Sequence, residues 1–480
     1  MRIASRWRTW FAIGVVGIAT SVAHSAAAAE GARDEAPTVE LTLSPAGEPV
    51  PALKYRLVPP LGERTKGNAA LAYYRAVLQY EPFARASRKF VGQQLDQWLE
   101  TPLDKLPQSE IAAQLQRFES IYKELERAAR RDRCEWEVPL ESDGINTLLS
   151  EFQDLRRPAM VVALRTRLQI ARGDFAGACQ TMSVNYQLSQ NLGKTPILIL
   201  SMIGCAVAHA TQTQVETFVQ QPNAPNLYWS LSELPVPLVG LRSAVEGEVR
   251  LPEYSFPEIV EFLHGPVSRA EAARLSDALL KRWLGINEAG DTLEGARAKL
   301  ALTAVSHYTA DKAMLIEAGR SKDEVAAMPV DQVVWLASYY RWQVSAHELM
   351  KWSFVAPWQR SAGYERSEQK FVRLVADRHD APFEFVNLLP AIGSGFNAIS
   401  RTDREIALLR TVEALRLYAH AHQGELPESL DKVVDVPIPG DPVTGQAFRY
   451  RLHDGGAVLE TPPSFNEKWM GRRYVIRMRK

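Results

Sequence analysis

Cysteine is scarce: Cys134, Cys179 and Cys205 are the only three in 480 residues, and no Cys-x-x-Cys occurs. An odd, sparse set excludes a disulfide framework and the usual thiolate metal sites. In an exported chain one pair is free to join and leave one thiol over. The alternative is that Cys179 and Cys205 sit in apolar helices and behave as small hydrophobes. An excess of one charge is also missing, since 56 basic residues balance 56 acidic ones. A nucleic-acid binder normally carries a basic surplus, so nucleic acid is excluded as a partner. With 28 Gly, 29 Pro and 46% hydrophobic residues, the chain is neither collagenous, disordered nor multispanning. A chain of this length can bury roughly three quarters of its unfolded surface, so it needs no metal or disulfide to stay folded.

What is present begins at the N-terminus. Arg2, Arg6 and Arg8 precede an uncharged stretch, Phe11 to Ala23, and the small residues Ala26 to Ala29 follow. This is the layout of a secretory signal peptide cleaved before Glu30, which makes the mature chain exported, to the periplasm or beyond. The alternative is an uncleaved membrane anchor, because Thr9 to Ala29 approaches the length of a span. No transmembrane span is expected after cleavage. Residues 30–66, rich in Pro, Gly and charge, read as an extended arm in which Val39 to Leu43 alternate like one short strand.

From Gly67 the pattern turns helical. Asn68 is placed to cap a helix over Ala69 to Tyr80 that stops before Pro82. Ser109 is placed to cap a longer one, with Ile111, Leu115, Phe118, Tyr122 and Leu125 inward. Helices over 159–171 and 175–192 flank Gly173-Asp174, and Gly173, Phe175 and Ala178 resemble the inner turn of a tetratricopeptide unit. No 34-residue period accompanies them. Ile197 to Ala210 is an almost continuous apolar run, too short to span and therefore a buried helix, with His209 at its end as a satisfied core histidine. Pro222, Pro225, Pro235 and Pro237 interrupt the next stretch around an aromatic plug at Tyr228-Trp229. Further helices are expected near 240–250, 256–264, 268–285, 293–318, 331–357 and 366–378.

The last part differs. A helix from Asp403 to His422 has apolar residues on two sides, Ile406 and Leu417 lying opposite Leu408, Val412 and Leu415. Gly424 ends it, and three short strands follow near 448–452, 457–459 and 474–476. The expected fold is mainly α: stacked helical hairpins over 67–385, then an α+β module over 386–480 made of a long helix and a three-stranded antiparallel sheet. The two-sided helix predicts a docked module, with Leu417→Asp destabilising and Arg416→Asp nearly silent.

Within this module the helix, the segment Gly424 to Leu430 and the Asp-Pro-x-Thr-Gly-x-x-Phe-x-Tyr segment from Asp441 to Tyr450 resemble the soluble part of type II secretion major pseudopilins. The likeness implies a pseudopilin-like α+β fold for 386–480 and places Asp441 where some members hold calcium. It does not extend to processing, because Gly395-Phe396 is internal and Ser400 stands where a pseudopilin carries glutamate. A broader likeness runs through Leu53 to Leu57, Gly67-Asn68-Ala69-Ala70, Cys134-x-Trp136, Pro225 to Trp229 and the Asp441 segment. It resembles a group of secreted proteins of planctomycete bacteria with no established activity, and so implies a compartment without a mechanism.

Known chemistries fail on spacing. His347-Glu348 lacks the second histidine of a zincin helix. His420 and His422 point to different sides of a helix. Gly193-Lys194-Thr195 lacks the first glycine of a phosphate loop and follows a helix. Gly393-Ser394-Gly395 lacks the flanks of a nucleophile elbow. Glu246 and Glu248, at i, i+2, diverge. The sequence therefore assigns no catalytic, cofactor-binding or metal-ligating residue. It points to an exported, non-catalytic helical interaction or scaffold protein of the cell envelope with a protein partner. The alternatives are an accessory of secretion or envelope assembly, and a hydrolase with a dispersed active site.

Overall fold

The computed structural model describes residues 37–144, 155–286, 292–389, 392–463 and 470–479. The signal peptide expected over 1–29 lies outside them. The fold is mainly helical with a small sheet, as the periodicity predicted.

The first helical layer comprises α1 (Ala69–Ala86), α2 (Gln108–Ala129), α3 (Arg156–Ala171), α4 (Phe175–Leu192) and α5 (Leu198–Val219). Asn68 caps α1 by accepting from the Ala70 amide at 3.1 Å. The helix does not stop at Pro82 but runs through it. Proline removes one N–H there, and the outer side of that turn, at Leu78 and Pro82, is exposed, so the carbonyl left over meets solvent. Pro107, not Ser109, precedes α2 at the cap position, and the Ile111 amide bonds the Pro107 carbonyl. Its five expected inward residues are all buried. Between α3 and α4, Gly173 takes φ +72° and Asp174 caps α4 through the Gly177 amide. α4 is buried almost all round. α5 contains the expected apolar run and continues nine residues beyond Ala210.

The second layer holds α6 (Arg242–Val249), α7 (Arg269–Ile286), α8 (Leu293–Glu317), α9 (Val330–Met350) and α10 (Pro357–Asp377) around Trp283, Trp335, Trp342 and Phe385. α10 starts nine residues earlier than expected, with Pro357 in its first turn. Arg341 of α9 and Arg378 share Asp311 and Glu384 in a buried ion network, Arg341 donating to Asp311 at 2.8 Å and to Glu384 at 2.6 Å.

The final helix, α11 (Ile392–Ala421), is longer than the expected 403–422. Gly395 lets it cross α5 closely, since a Cβ there would sit 2.7 Å from Leu198. The sheet has the order β1-β6-β5-β4, with β1 (Thr38–Leu43), β4 (Arg449–His453), β5 (Gly456–Glu460) and β6 (Arg473–Met478). A separate parallel pair joins β2 (Thr65–Asn68) to β3 (Arg131–Arg133). β4, β5 and β6 are the expected antiparallel strands. β1 adds a fourth, parallel to β6, with Leu41 opposite Ile476. The arm is thus partly built into the module: Leu41, Leu43 and Leu57 are buried in one core with Ile406, Leu415, Leu417, Val215 of α5 and Ile476.

Candidate functional site

Most residues that stood out in the sequence prove to be structural. Glu246 is exposed while Glu248 is buried, as their spacing required. Glu248 accepts from the Leu198 amide at 2.9 Å, capping α5 from α6, and burial pushes its carboxyl up to about 7. Lys194 follows the end of α4 and donates to Asn191 at 3.0 Å. Glu348 bonds Lys351 and Ser367. His422 stacks on Tyr418, and His420 is exposed. Gly393 and Gly395 are helical residues of α11. The three cysteines are free and buried. Desolvation pushes the Cys134 and Cys205 thiols up to about 12, and Cys179 higher still, so none is a ready nucleophile.

Asp441 is saturated by the protein itself. Arg404 donates to it at 2.8 and 2.6 Å, and the Val443 amide and Thr444 hydroxyl add bonds at 3.1 and 2.7 Å. Both side chains of this pair are buried. The carboxylate that the pseudopilin resemblance placed at a calcium position instead locks the turn before β4 onto α11. Among the described residues no group of three or more His, Cys, Asp or Glu is arranged to hold a metal.

His209 is satisfied but not a core histidine, because α5 continues past it and leaves its side chain 45% exposed. Its Nδ1 lies 2.8 Å from the buried Glu405 of α11, which also accepts from Arg401 at 3.0 Å. Two turns on, Glu216 pairs with Arg472 and accepts from Tyr474 at 2.6 Å. These bonds form a polar seam that fastens α5 to α11 and β6. Asp403 extends it by accepting from the Leu238 amide at 2.9 Å, and burial pushes its carboxyl up to about 7. Sequence spacing carried no sign of the seam, because its partners on different elements lie 165 to 258 positions apart.

A polar concavity lies elsewhere, between the arm and the α2–α4 face. It measures about 380 Å³. Its buried base is Ala129 at the end of α2 with Cys179 and Val184 of α4, the exposed Ala176 stands at its mouth, and the arm supplies Tyr55, Val58 and Pro59. Lys54, Glu63, Glu126, Arg130 and Gln180 stand at its rim. The arm is held down over four consecutive residues. Ser230 donates to the Tyr55 carbonyl at 2.6 Å, Arg56 pairs with Glu233, and Leu57 and Val58 are buried. At the rim Glu126 accepts from Arg130 at 3.2 Å and from Gln180 at 3.1 Å. Among the described residues, the Lys54 ammonium reaches only the ring of Tyr55, at 5.5 Å. No histidine is among the residues that line the cleft, and burial raises the pKa of its one thiol, Cys179. A second depression of about 390 Å³ is lined by α10 residues alone. Neither concavity reaches His209.

The architecture is that of a helical body with a docked α+β module. Compared with known proteins, the chain matches no family model, no curated protein and no solved structure.

Proposed function

We propose that the chain is an exported, non-catalytic interaction protein of the cell envelope, which receives a segment of a partner protein in the cleft between its arm and the α2–α4 face. The cleft itself carries this reading: an apolar floor under a polar rim is the usual composition of a recognition site. Its walls are already fixed by the bonds from Ser230 and to Glu233, so little ordering cost falls on binding. The test compares the intact protein with Ala176→Trp, which obstructs the mouth of the cleft, and Lys54→Glu, which reverses one rim charge. A protein from envelope extract should be retained by the intact chain and lost with Ala176→Trp. The reading fails if both variants retain the same proteins as the parent.

A hydrolytic reading has one observation in its favour. His209 is oriented by a buried carboxylate, the arrangement that holds an imidazole ready as a base. Hydrolysis of ester or peptide substrates that disappears in His209→Asn would establish it.

A further inference from the structure

The sheet ends on an open strand. β4 is the last in the order β1-β6-β5-β4, and among the described residues nothing pairs with its outer edge. Its hairpin turn is Asp454-Gly455, both at positive φ, which places His453 and Gly456 as a hydrogen-bonded pair. Bonded and non-bonded positions alternate along antiparallel strands. Arg449, Arg451 and His453 therefore bond inward to β5, while Tyr450 and Leu452 turn their N–H and C=O groups to the open side.

The two faces of this edge differ. Arg449 and Arg451 are exposed on the outer face. The strand registers align that face with Glu460, Arg473, Arg477 and Glu40, four arginines against two glutamates. Glu460 is already paired with Arg473, and no acid pairs with Arg449 or Arg451 among the described residues. On the core-facing side Tyr450 is anchored through its hydroxyl to the Pro427 carbonyl. Leu452 shares that side, in register with Ala457, and is 49% exposed.

We infer that β4 accepts an extended acidic segment of a partner protein as a fifth strand. The segment alternates acidic side chains, which meet Arg449 and Arg451, with apolar ones, which cover Leu452. Strand addition supplies affinity through the main chain and specificity through alternate side chains. A second copy of this chain is the wrong occupant. Antiparallel self-pairing would set arginines opposite arginines, and like charges across strands repel. The inference does not depend on the cleft under the arm.

The test uses the full chain and the acetylated hexapeptide Glu-Val-Glu-Thr-Glu-Val, with a lysine-for-glutamate peptide as its control. Fluorescence anisotropy should show saturable binding of the acidic peptide alone. Hydrogen exchange should slow in the segment containing Tyr450 and Leu452. Arg449→Glu combined with Arg451→Glu should weaken binding at least tenfold. Leu452→Pro removes an outward N–H that β5 does not use, so it should abolish binding while thermal unfolding stays unchanged. If that variant unfolds, the double arginine variant decides. Ala176→Trp should bind the hexapeptide like the parent, which separates this edge from the cleft. Equal binding of both peptides, unaltered exchange at β4, no binding up to millimolar peptide, or a dimer in sedimentation that Leu452→Pro dissolves would each overturn the inference.

Discussion

Arg416 offers the sharpest quantitative test of the packing. The sequence reading expects Arg416→Asp to be nearly silent, yet the Arg416 side chain is fully buried. Its guanidinium donates to Glu413 at 2.9 Å, to the Ser44 carbonyl of the arm at 3.0 Å and to the Ala224 carbonyl at 2.7 Å. One side chain thus ties α11 to the arm and to the loop after α5. Arg416→Met keeps most of the volume and deletes every donor. Breaking a buried pair on one side costs about 3–5 kcal/mol, and the two carbonyls left without partners raise the total to about 5 kcal/mol or more. Unfolding entropy scales at about 2 cal/mol/K per residue, so a chain of this length loses roughly 1 °C of Tm per kcal/mol, or about 5 °C here. Differential scanning calorimetry measures it, with the exposed Arg373→Met as control. The sign with pH is fixed as well. Burial holds the Glu413 carboxyl above its usual range, and Arg416 pulls it back. Without Arg416 the folded state holds that proton to higher pH than the unfolded chain does, so the variant loses stability as pH rises. Its deficit should be larger at pH 8 than at pH 5. A shift under about 1 °C, or no greater than that of the control, would refute the account.

Glu248 and Asp403, both raised to about 7, are neutralised earlier in the folded than in the unfolded chain as pH falls. They therefore favour folding most at about pH 4, and this contribution is lost as pH rises to about 7. The stability of the parent relative to Glu248→Gln or Asp403→Asn should decline across that window, and parallel urea-unfolding profiles would contradict it. Gly247 faces the Pro196 carbonyl so closely that an added Cβ would lie 1.9 Å from its oxygen. Gly247→Ala should cost about 1–3 kcal/mol in urea unfolding despite alanine's better helix propensity, whereas a stabilised variant would show that α6 packs differently. The three buried thiols should resist a disulfide-exchange reagent in the native protein and all react after denaturation; fewer than three titrating in denaturant without reductant would reveal a disulfide.

Local patterns in the sequence were enough for much of the body. Gly173-Asp174 defined a helical hairpin because a left-handed glycine and an aspartate cap act within a few residues. The apolar run at 197–210 announced a buried helix, and the alternation at 39–43 announced a strand. Boundaries set by proline were read less well. Pro82, Pro107 and Pro357 break, cap or tolerate a helix according to which side faces solvent, and that side is a property of the packed molecule. The periodicity also showed that α11 is covered on two sides, but not that a fourth strand from the arm lies against β6.

The polar interior was hidden almost entirely. Charge in a sequence reads as surface, because burying an unpaired ion costs far more than a helix face can return. Only the folded chain brings Arg404 to Asp441, Arg416 to the Ser44 carbonyl and Glu216 to Arg472, partners 37, 372 and 256 positions apart. The same holds for the candidate sites. The cleft exists because the arm is tied down across a distant hairpin, and the open edge of β4 because β1 closed the other side of the sheet. The sequence by itself determined the helical class, the hairpin and the strands, since hydrophobic period and turn chemistry act over a few residues. Tertiary structure alone decided which charges are buried and which edge stays open, since both depend on contacts that no local spacing encodes.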